Sequence, residues 1–343
     1  LIQKAGRIKN VSPFQSIEET LSQAIDYQEK QFFPMISMGI AFSPDDSVDS
    51  ADLLQMASSS LERAVERGMS GFELYSRSLQ AEAVERLAME SGLQVALAEN
   101  QFFLNYQPQI HADTAEIIGF EALLRWKNSD GNLVSPIDFI PIAEENGLIL
   151  PIGAWVLETA CQQAVAFQQR AGRYLRAGVN VSAKQFRDPT LVDHIDRVLA
   201  ATGLPPEYLE IEITENTFMD DPLKTVEILT DLKVRGVKIA IDDFGTGYSS
   251  LNYLKRFPVD RLKIDRSFII DIVTNEDDRV LVSLITNLAR GMGLEVIAEG
   301  VEETEQRDIL LNLDCSQMQG YLYSRPLSAE DFFSFLPDQP ASQ

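Results

Sequence analysis

A chain of 343 residues with 52 acidic and 29 basic side chains has a formal charge of −23. A negative potential of that size repels nucleic-acid polymers and anionic membrane surfaces, so an anionic ligand would need cations to mediate its binding. The chain has no apolar run of about 18 residues and no leader with an apolar core, so neither a membrane span nor a signal peptide is read and a cytoplasmic setting is expected. It starts on Leu1, which reads as a fragment of something longer.

In chain order, "FFPMISMGIAF" (32–42) has the apolar and aromatic content of a strand. The acidic, small-residue stretch "FSPDDSVDSADLL" (42–54) reads as a loop entering a helix, "ADLLQMASSSLERAVERG", that Gly68 ends. "GFELYS" is a second short strand, and a helix over roughly 78–100 follows. The organisation then changes, giving two expected domains, 1–85 and 86–343.

Beyond residue 101, strand-like runs alternate with helix-length segments: "FFLNYQPQI", "IIGFEALLRW", "AGVNVSA", "YLEIEIT", "VKIAIDDF", "RLKID", "LEVIAEG" and "QGYLYS". Eight such runs predict an α/β fold of the (β/α)8 type. The first two are separated only by "HADTAE", too short for a crossover helix, so that pair is expected to run antiparallel. Cys161 and Cys315 form no CxxC pair and are expected as reduced, buried thiols.

Side chains alternate faces along a strand, so parity can be read from the letters. Val179 and Val181, Ile211 and Ile213, Ile239 and Ile241, and Leu262 and Ile264 form the apolar faces expected to pack on helices. Asn180, Glu212, Asp242, Lys263 and Asp265, with Glu121 and Glu299 on weaker parity, then point inward, late in their strands, at the mouth where barrel enzymes gather catalytic groups. So many carboxylates at one mouth call for bound cations. The donors are oxygens, and His111 and His194 fall in a hairpin loop and a helix where they are expected to be exposed; Mg²⁺ or Mn²⁺ suits such a set better than zinc. The adjacent Asp242 and Asp243 could serve two ions, and Lys263 reads equally well as a salt-bridge partner of Asp242 or Asp265 or as a catalytic group.

"FEALLRW", "NVSAKQF", "EITEN", "DDFGTGYSSLNYLKRFPVDRLKID", "VIAEGVE" and "QGYLYSRPL" occur in order, and over about residues 95–336 the chain resembles the EAL-domain family of cyclic di-GMP phosphodiesterases. The resemblance implies hydrolysis of cyclic di-GMP to linear pGpG in a TIM-like barrel whose first strand is antiparallel. It implies that Glu121, Asn180, Glu212 and Asp242 ligate one ion, and Asp242, Asp243 and Glu299 a second. Lys263 would activate the attacking water, Glu299 and Gln319 would complete the water and phosphate site, and Asp265 would stand behind them. Glu215 would anchor the loop carrying Gly245 and Gly247, and Gln107, Arg125 and Pro141 would contact substrate. A homodimer is implied on the same footing.

"ISMGIAFSPDDSVDSADLLQMASSSLERAVERGMSGFELYSRSL" resembles the later half of a GGDEF domain. No Gly-Gly pair occurs in the chain, so no diguanylate cyclase activity is expected. Two other readings remain open on the residues: a cyclic di-GMP receptor that does not turn over its ligand, and a different metal-dependent barrel enzyme such as an enolising lyase.

Overall fold

A computed structural model describes residues 34–66, 71–75, 77–215, 217, 221–246 and 254–337, together with positions 14, 17, 20–22, 25–27 and 30–32. Gly68 and Gly247, expected to end a helix and to loosen a loop, lie outside the described residues. The chain divides into two compact units, Leu1–Met89 and Glu90–Gln343.

In the amino-terminal unit, strands β1 (Ile25–Tyr27) and β2 (Lys30–Phe32) pair antiparallel. Strands β3 (Ser37–Ile40) and β4 (Gly71–Leu74) pair parallel, with the helix Ser50–Glu66 between them in sequence, which makes a βαβ unit. That helix starts where the Asp49 carboxylate accepts from the amides of Ala51 and Asp52, satisfying donors with no intrahelical partner. It lies so close to β3 that a Cβ on Gly39 would fall 1.9 Å from the Ala57 carbonyl oxygen. Only glycine permits that approach.

The second unit contains strands β5 (Phe102–His111), β6 (Glu116–Lys127), β7 (Leu133–Val134), β8 (Arg176–Asn180), β9 (Leu209–Thr214), β10 (Lys238–Phe244), β11 (Arg261–Ile264), β12 (Glu295–Ala298) and β13 (Gln317–Gln319). All but β7 close into an eight-stranded barrel in the order β5-β6-β8-β9-β10-β11-β12-β13, with β13 returning to β5. The six neighbouring pairs from β6 round to β13 are parallel, while β5 is antiparallel to both its neighbours, as the short β5–β6 connection predicts.

The outward faces are those read from parity: Val179, Ile211, Ile213, Ile239, Ile241, Leu262 and Ile264 are all buried. The helix Ile149–Ala171 buries Ile152, Val156, Ala160, Ala164 and Phe167, spaced three and four residues apart along one stripe. Tyr106, Phe120, Phe167 and Phe332 form an aromatic cluster with centroids 4.6–6.1 Å apart. Cys161 and Cys315 are buried free thiols. No single described helix is long and apolar enough to cross a membrane; Pro136–Asn146 and Ile149–Ala171 meet that test only together, across a 120° bend.

Two expectations need correction. The eighth strand is not "QGYLYS" but Gln317–Gln319, which retains only the first of those residues. A Cβ on Gly320 would lie 2.1 Å from the Val301 carbonyl oxygen, and the amides of Tyr323 and Ser324 fold back onto the Gly320 carbonyl, so a turn closes there. His111 and His194 are half-buried, not exposed. His111 is the last residue of β5, and the His194 ring sits 3.3 Å from the Ala154 carbonyl on the neighbouring helix.

Candidate active site

The register between β10 and β11 slips once. Ile241 faces Leu262 and Phe244 faces Ile264, so Asp242 and Asp243 together stand opposite Lys263 alone. This is a β-bulge, and it breaks the rule that consecutive residues face opposite ways. Asp243 adopts φ 53, a left-handed conformation that aspartate tolerates better than most residues, and its amide donates to Asp242 Oδ1 at 3.0 Å.

Lys263, fully buried, is the centre of the arrangement. Its Nζ lies 2.5 Å from Glu212, 2.8 Å from Glu299, 3.0 Å from Asp242 and 3.8 Å from Glu121. The carboxylates come from β6, β9 and β10 and from the residue after β12, so four strands converge on the ammonium that β11 carries. Both oxygens of Glu121 are held by amides, Asn180 Nδ2 at 2.6 Å and Gln319 Nε2 at 2.6 Å. Gln319 also donates to Gln107 Oε1 at 3.2 Å, and Gln107 donates onward to the Ser324 carbonyl at 3.3 Å. Gln107 is thus buried and engaged with protein groups.

The charges perturb one another strongly. Burial raises the Glu212 carboxyl, and Glu121 and Asp242 push the same way against Lys263. Glu299 is pushed up to about 8 by burial, with Asp242 and Glu121 adding to it and Lys263 opposing. Asp243 rises to about 6, again through burial first and then Asp242 and Asp265. For Lys263, burial works against the charge, but Asp242, Glu121, Glu212 and Glu299 outweigh it and hold the ammonium well above its ordinary range.

Four carboxylates around one ammonium leave an excess of negative charge. Glu212 Oε1 and Gln319 Oε1 are buried acceptors with no hydrogen-bond donor among the described residues. This set of hard oxygen donors fits a divalent cation. No group of three or more carboxylates among the described residues is spaced as a ready-made cage, since Lys263 occupies their focus. Glu212 reaches its position because residue 178 is glycine: a Cβ there would lie 2.1 Å from Glu212 Oε1.

Glu215, Asp265, Arg125 and Pro141 make no ion pair or hydrogen bond with Lys263 among the described residues. Glu215 Oε2 accepts from the Gly245 amide at 3.0 Å, fixing the start of the loop after β10. Asp265 accepts from the Ser267 amide at 3.0 Å, and its negative charge adds to the upward push on the Asp243 carboxyl. Arg125 donates to the Leu124 carbonyl at 2.8 Å and lies outside the ion-pair cluster; burial lowers its basicity, while Glu121 and Tyr321 raise it. Pro141 is exposed within the helix Pro136–Asn146.

Sequence reasoning missed a second charged level deeper in the barrel. Arg261, 2% exposed, bonds to Glu210 at 2.7 Å, Glu295 at 2.8 Å and Gln109 at 3.1 Å. Arg176 bridges the same Glu210 and Glu295 at 3.2 and 2.9 Å. Its signal was present, because Glu210 and Arg261 precede Glu212 and Lys263 by two residues and so share their face.

A closed barrel with an acidic, lysine-centred mouth defines a class of enzyme sites built on strand ends. The EAL domain family matches residues 90–326. The chain belongs to the EAL domain family, whose phosphodiesterases generally depend on a divalent metal. It is 40% identical over 314 residues to the signaling protein YkoW of Bacillus subtilis, covering 92% of this chain and 39% of that one. It is 39% identical over 320 residues to the bifunctional diguanylate cyclase/cyclic di-GMP phosphodiesterase MucR of Pseudomonas aeruginosa, covering 93% and 47%. A solved structure of the PaMucR phosphodiesterase in complex with c-di-GMP superposes with a TM-score of 0.69 at 43% identity, covering 71% of this chain and 99% of that chain. The chain spans less than half the length of these two curated relatives.

Proposed function

We propose that the chain is a metal-dependent phosphodiesterase that hydrolyses cyclic di-GMP to linear pGpG. The observation that carries this reading is the convergence of Glu121, Glu212, Asp242 and Glu299 on Lys263 at the barrel mouth, in a chain 43% identical to a phosphodiesterase solved with that ligand. Glu121, Asn180, Glu212 and Asp242 would hold one Mg²⁺ or Mn²⁺ ion, and Asp242, Asp243 and Glu299 a second. When bound, such ions make water a nucleophile at neutral pH and offset charge on phosphoryl oxygens.

The chain's own groups divide the remaining work. The Lys263 ammonium orients the attacking water beside Glu299 and offsets negative charge among the carboxylates. Gln319 and Asn180 pin the Glu121 carboxylate, and Gln107 fixes Gln319 in turn. Arg125 offers a planar guanidinium to a phosphate oxygen, with Pro141 against a guanine. Asp265 positions Asp243, and Glu215 tethers the loop at Gly245, whose φ of 101 suits a hinge. One water adds across one P–O3′ bond, leaving a 5′-phosphate and a 3′-hydroxyl.

The amino-terminal part, about residues 1–85, is proposed as a partial or degenerate GGDEF-like domain whose residues here supply no cyclase activity, and 86–343 as the phosphodiesterase domain, acting as a homodimer in the cytoplasm. The 320-residue match to MucR supports the first of these, because it is longer than the barrel unit and therefore runs into the amino-terminal one.

The test is hydrolysis of cyclic di-GMP by the purified chain with Mg²⁺ or Mn²⁺, resolved by chromatography. Appearance of pGpG that disappears with EDTA and in Glu121→Ala supports the proposal. Tight binding without turnover in excess metal would replace it with the receptor reading.

A further inference from the structure

The segment after β13 carries an arginine that no described carboxylate claims. β13 runs parallel to β12, so the chain leaves it at the barrel mouth. From there residues 320–327 are pinned along their length. The Leu322 amide donates to the Val301 carbonyl at 2.9 Å, the Ser324 carbonyl accepts from Gln107 at 3.3 Å, and Leu327 exchanges backbone bonds of 2.7 and 2.9 Å with Tyr106. On this braced segment the Arg325 guanidinium stacks over the Tyr321 ring, 4.4 Å from its centroid. Both side chains are exposed.

Arg176, Arg261, Arg266, Arg290 and Arg307 each pair with a carboxylate. In a chain of charge −23 that is the expected fate of a guanidinium. Arg325 forms no ion pair among the described residues, whereas Arg125 feels both the Glu121 carboxylate and Tyr321 without pairing with either. A guanidinium without a carboxylate partner therefore lies over an exposed aromatic ring beside a strongly acidic mouth.

A cyclic dinucleotide carries two phosphates on opposite sides of its ring. Cations held by the carboxylates would offset the charge of the one that is cut, which leaves the other facing a rim whose field repels it. We propose that Arg325, held flat by Tyr321, binds the phosphate of cyclic di-GMP that is not cut; this rests on the phosphodiesterase reading. A guanidinium stacked on an aromatic face keeps its edge free for two parallel hydrogen bonds to phosphate, and little side-chain freedom is left to lose on binding. Tyr321 is then a positioning residue that acts through Arg325.

The experiment measures KM and kcat for cyclic di-GMP, and its Kd in Ca²⁺, for the wild-type chain, Arg325→Ala, Arg325→Lys, Tyr321→Ala and Arg290→Ala. The last removes an equal charge from an exposed pair with Asp314 and controls for net charge. Loss of a charged hydrogen-bonding partner predicts a rise of about tenfold to a hundredfold in KM and Kd for Arg325→Ala, with a much smaller change in kcat. Arg325→Lys keeps the charge but not the fork and should recover only part of the loss. Tyr321→Ala should raise KM by less than Arg325→Ala, and Arg290→Ala should leave it within about twofold. KM and Kd of Arg325→Ala within twofold of wild type, or a fall in kcat at constant KM, overturns the inference while the phosphodiesterase reading stands. A wild-type chain that neither cuts nor binds cyclic di-GMP overturns both.

Discussion

Replacing Lys263 by Met removes the one ammonium at the focus of Glu212, Glu299, Asp242 and Glu121, which lie 2.5, 2.8, 3.0 and 3.8 Å from it. The methionine fills similar volume, so the loss is chiefly electrostatic. Glu212 is fully buried and keeps its Oε1 without a donor even in the wild type. Stripping the partner from a buried ion pair costs about 3–5 kcal/mol, because the charge left behind is neither solvated nor matched. For a domain of this size each kcal/mol moves Tm by about 2–4 °C, so the metal-free variant should melt roughly 6–20 °C below wild type. The assay is thermal unfolding in EDTA at pH 8, repeated with excess Mn²⁺ and at pH 5. Mn²⁺ should stabilise the variant more than the wild type, since it restores the missing positive charge. The gap should narrow at pH 5, where protonation relieves carboxylates already pushed upward. A variant within about 3 °C of wild type in EDTA, or one indifferent to Mn²⁺, would refute the claim that Lys263 is the counter-charge of this cluster.

Glu299 titrates near 8 in the folded chain against an ordinary 4.5, so folding favours its neutral form. That contribution is complete below about pH 4.5 and is lost as pH rises through 8. Metal-free wild type should therefore lose stability over this window at up to about 1.4 kcal/mol per pH, the slope one extra bound proton gives, and Glu299→Gln should flatten the profile. Gly178→Ala would drive a methyl to 2.1 Å from Glu212 Oε1, so Mn²⁺ affinity by calorimetry should fall at least about tenfold; unchanged affinity would mean that Glu212 holds no ion. Arg261→Met takes one of two guanidinium partners from Glu210, buried beneath the site, and leaves Arg176, so it should cost about 1.5–3 kcal/mol in urea unfolding, while KM stays within about twofold. A large KM change there would tie the two charged levels together in function.

The strands were legible because the barrel imposes a single rule on them. Ile211, Ile239 and Leu262 face helices, so their neighbours Glu212 and Lys263 must face inward, and the letters alternate accordingly. The antiparallel β5 was legible from a connection too short to hold a helix. Two features were not. "QGYLYS" reads as a strand because its aromatic residues resemble one, yet the packing of Gly320 on Val301 is a tertiary fact with no local signature. The place of Lys263 was likewise undetermined: a salt bridge to Asp242 or Asp265 and a catalytic role stood as alternatives, whereas the chain folds Asp242, Glu212, Glu299 and Glu121 onto it and gives Asp265 to Ser267. Distances between five separate strand ends depend on barrel closure, which no window of sequence contains.

The extra residue in β10 makes the acidic pair a matter of spacing as much as of chemistry. Adding one residue between Leu262 and Ile264 of the partner strand would match the two lengths, restore strict alternation and send one of the two aspartates out toward the helices. A relative could therefore keep every acidic letter and still lose one of its two inward carboxylates through a shift in length. In this fold the count of residues between Ile241 and Phe244, set against that between Leu262 and Ile264, carries information that no substitution table records.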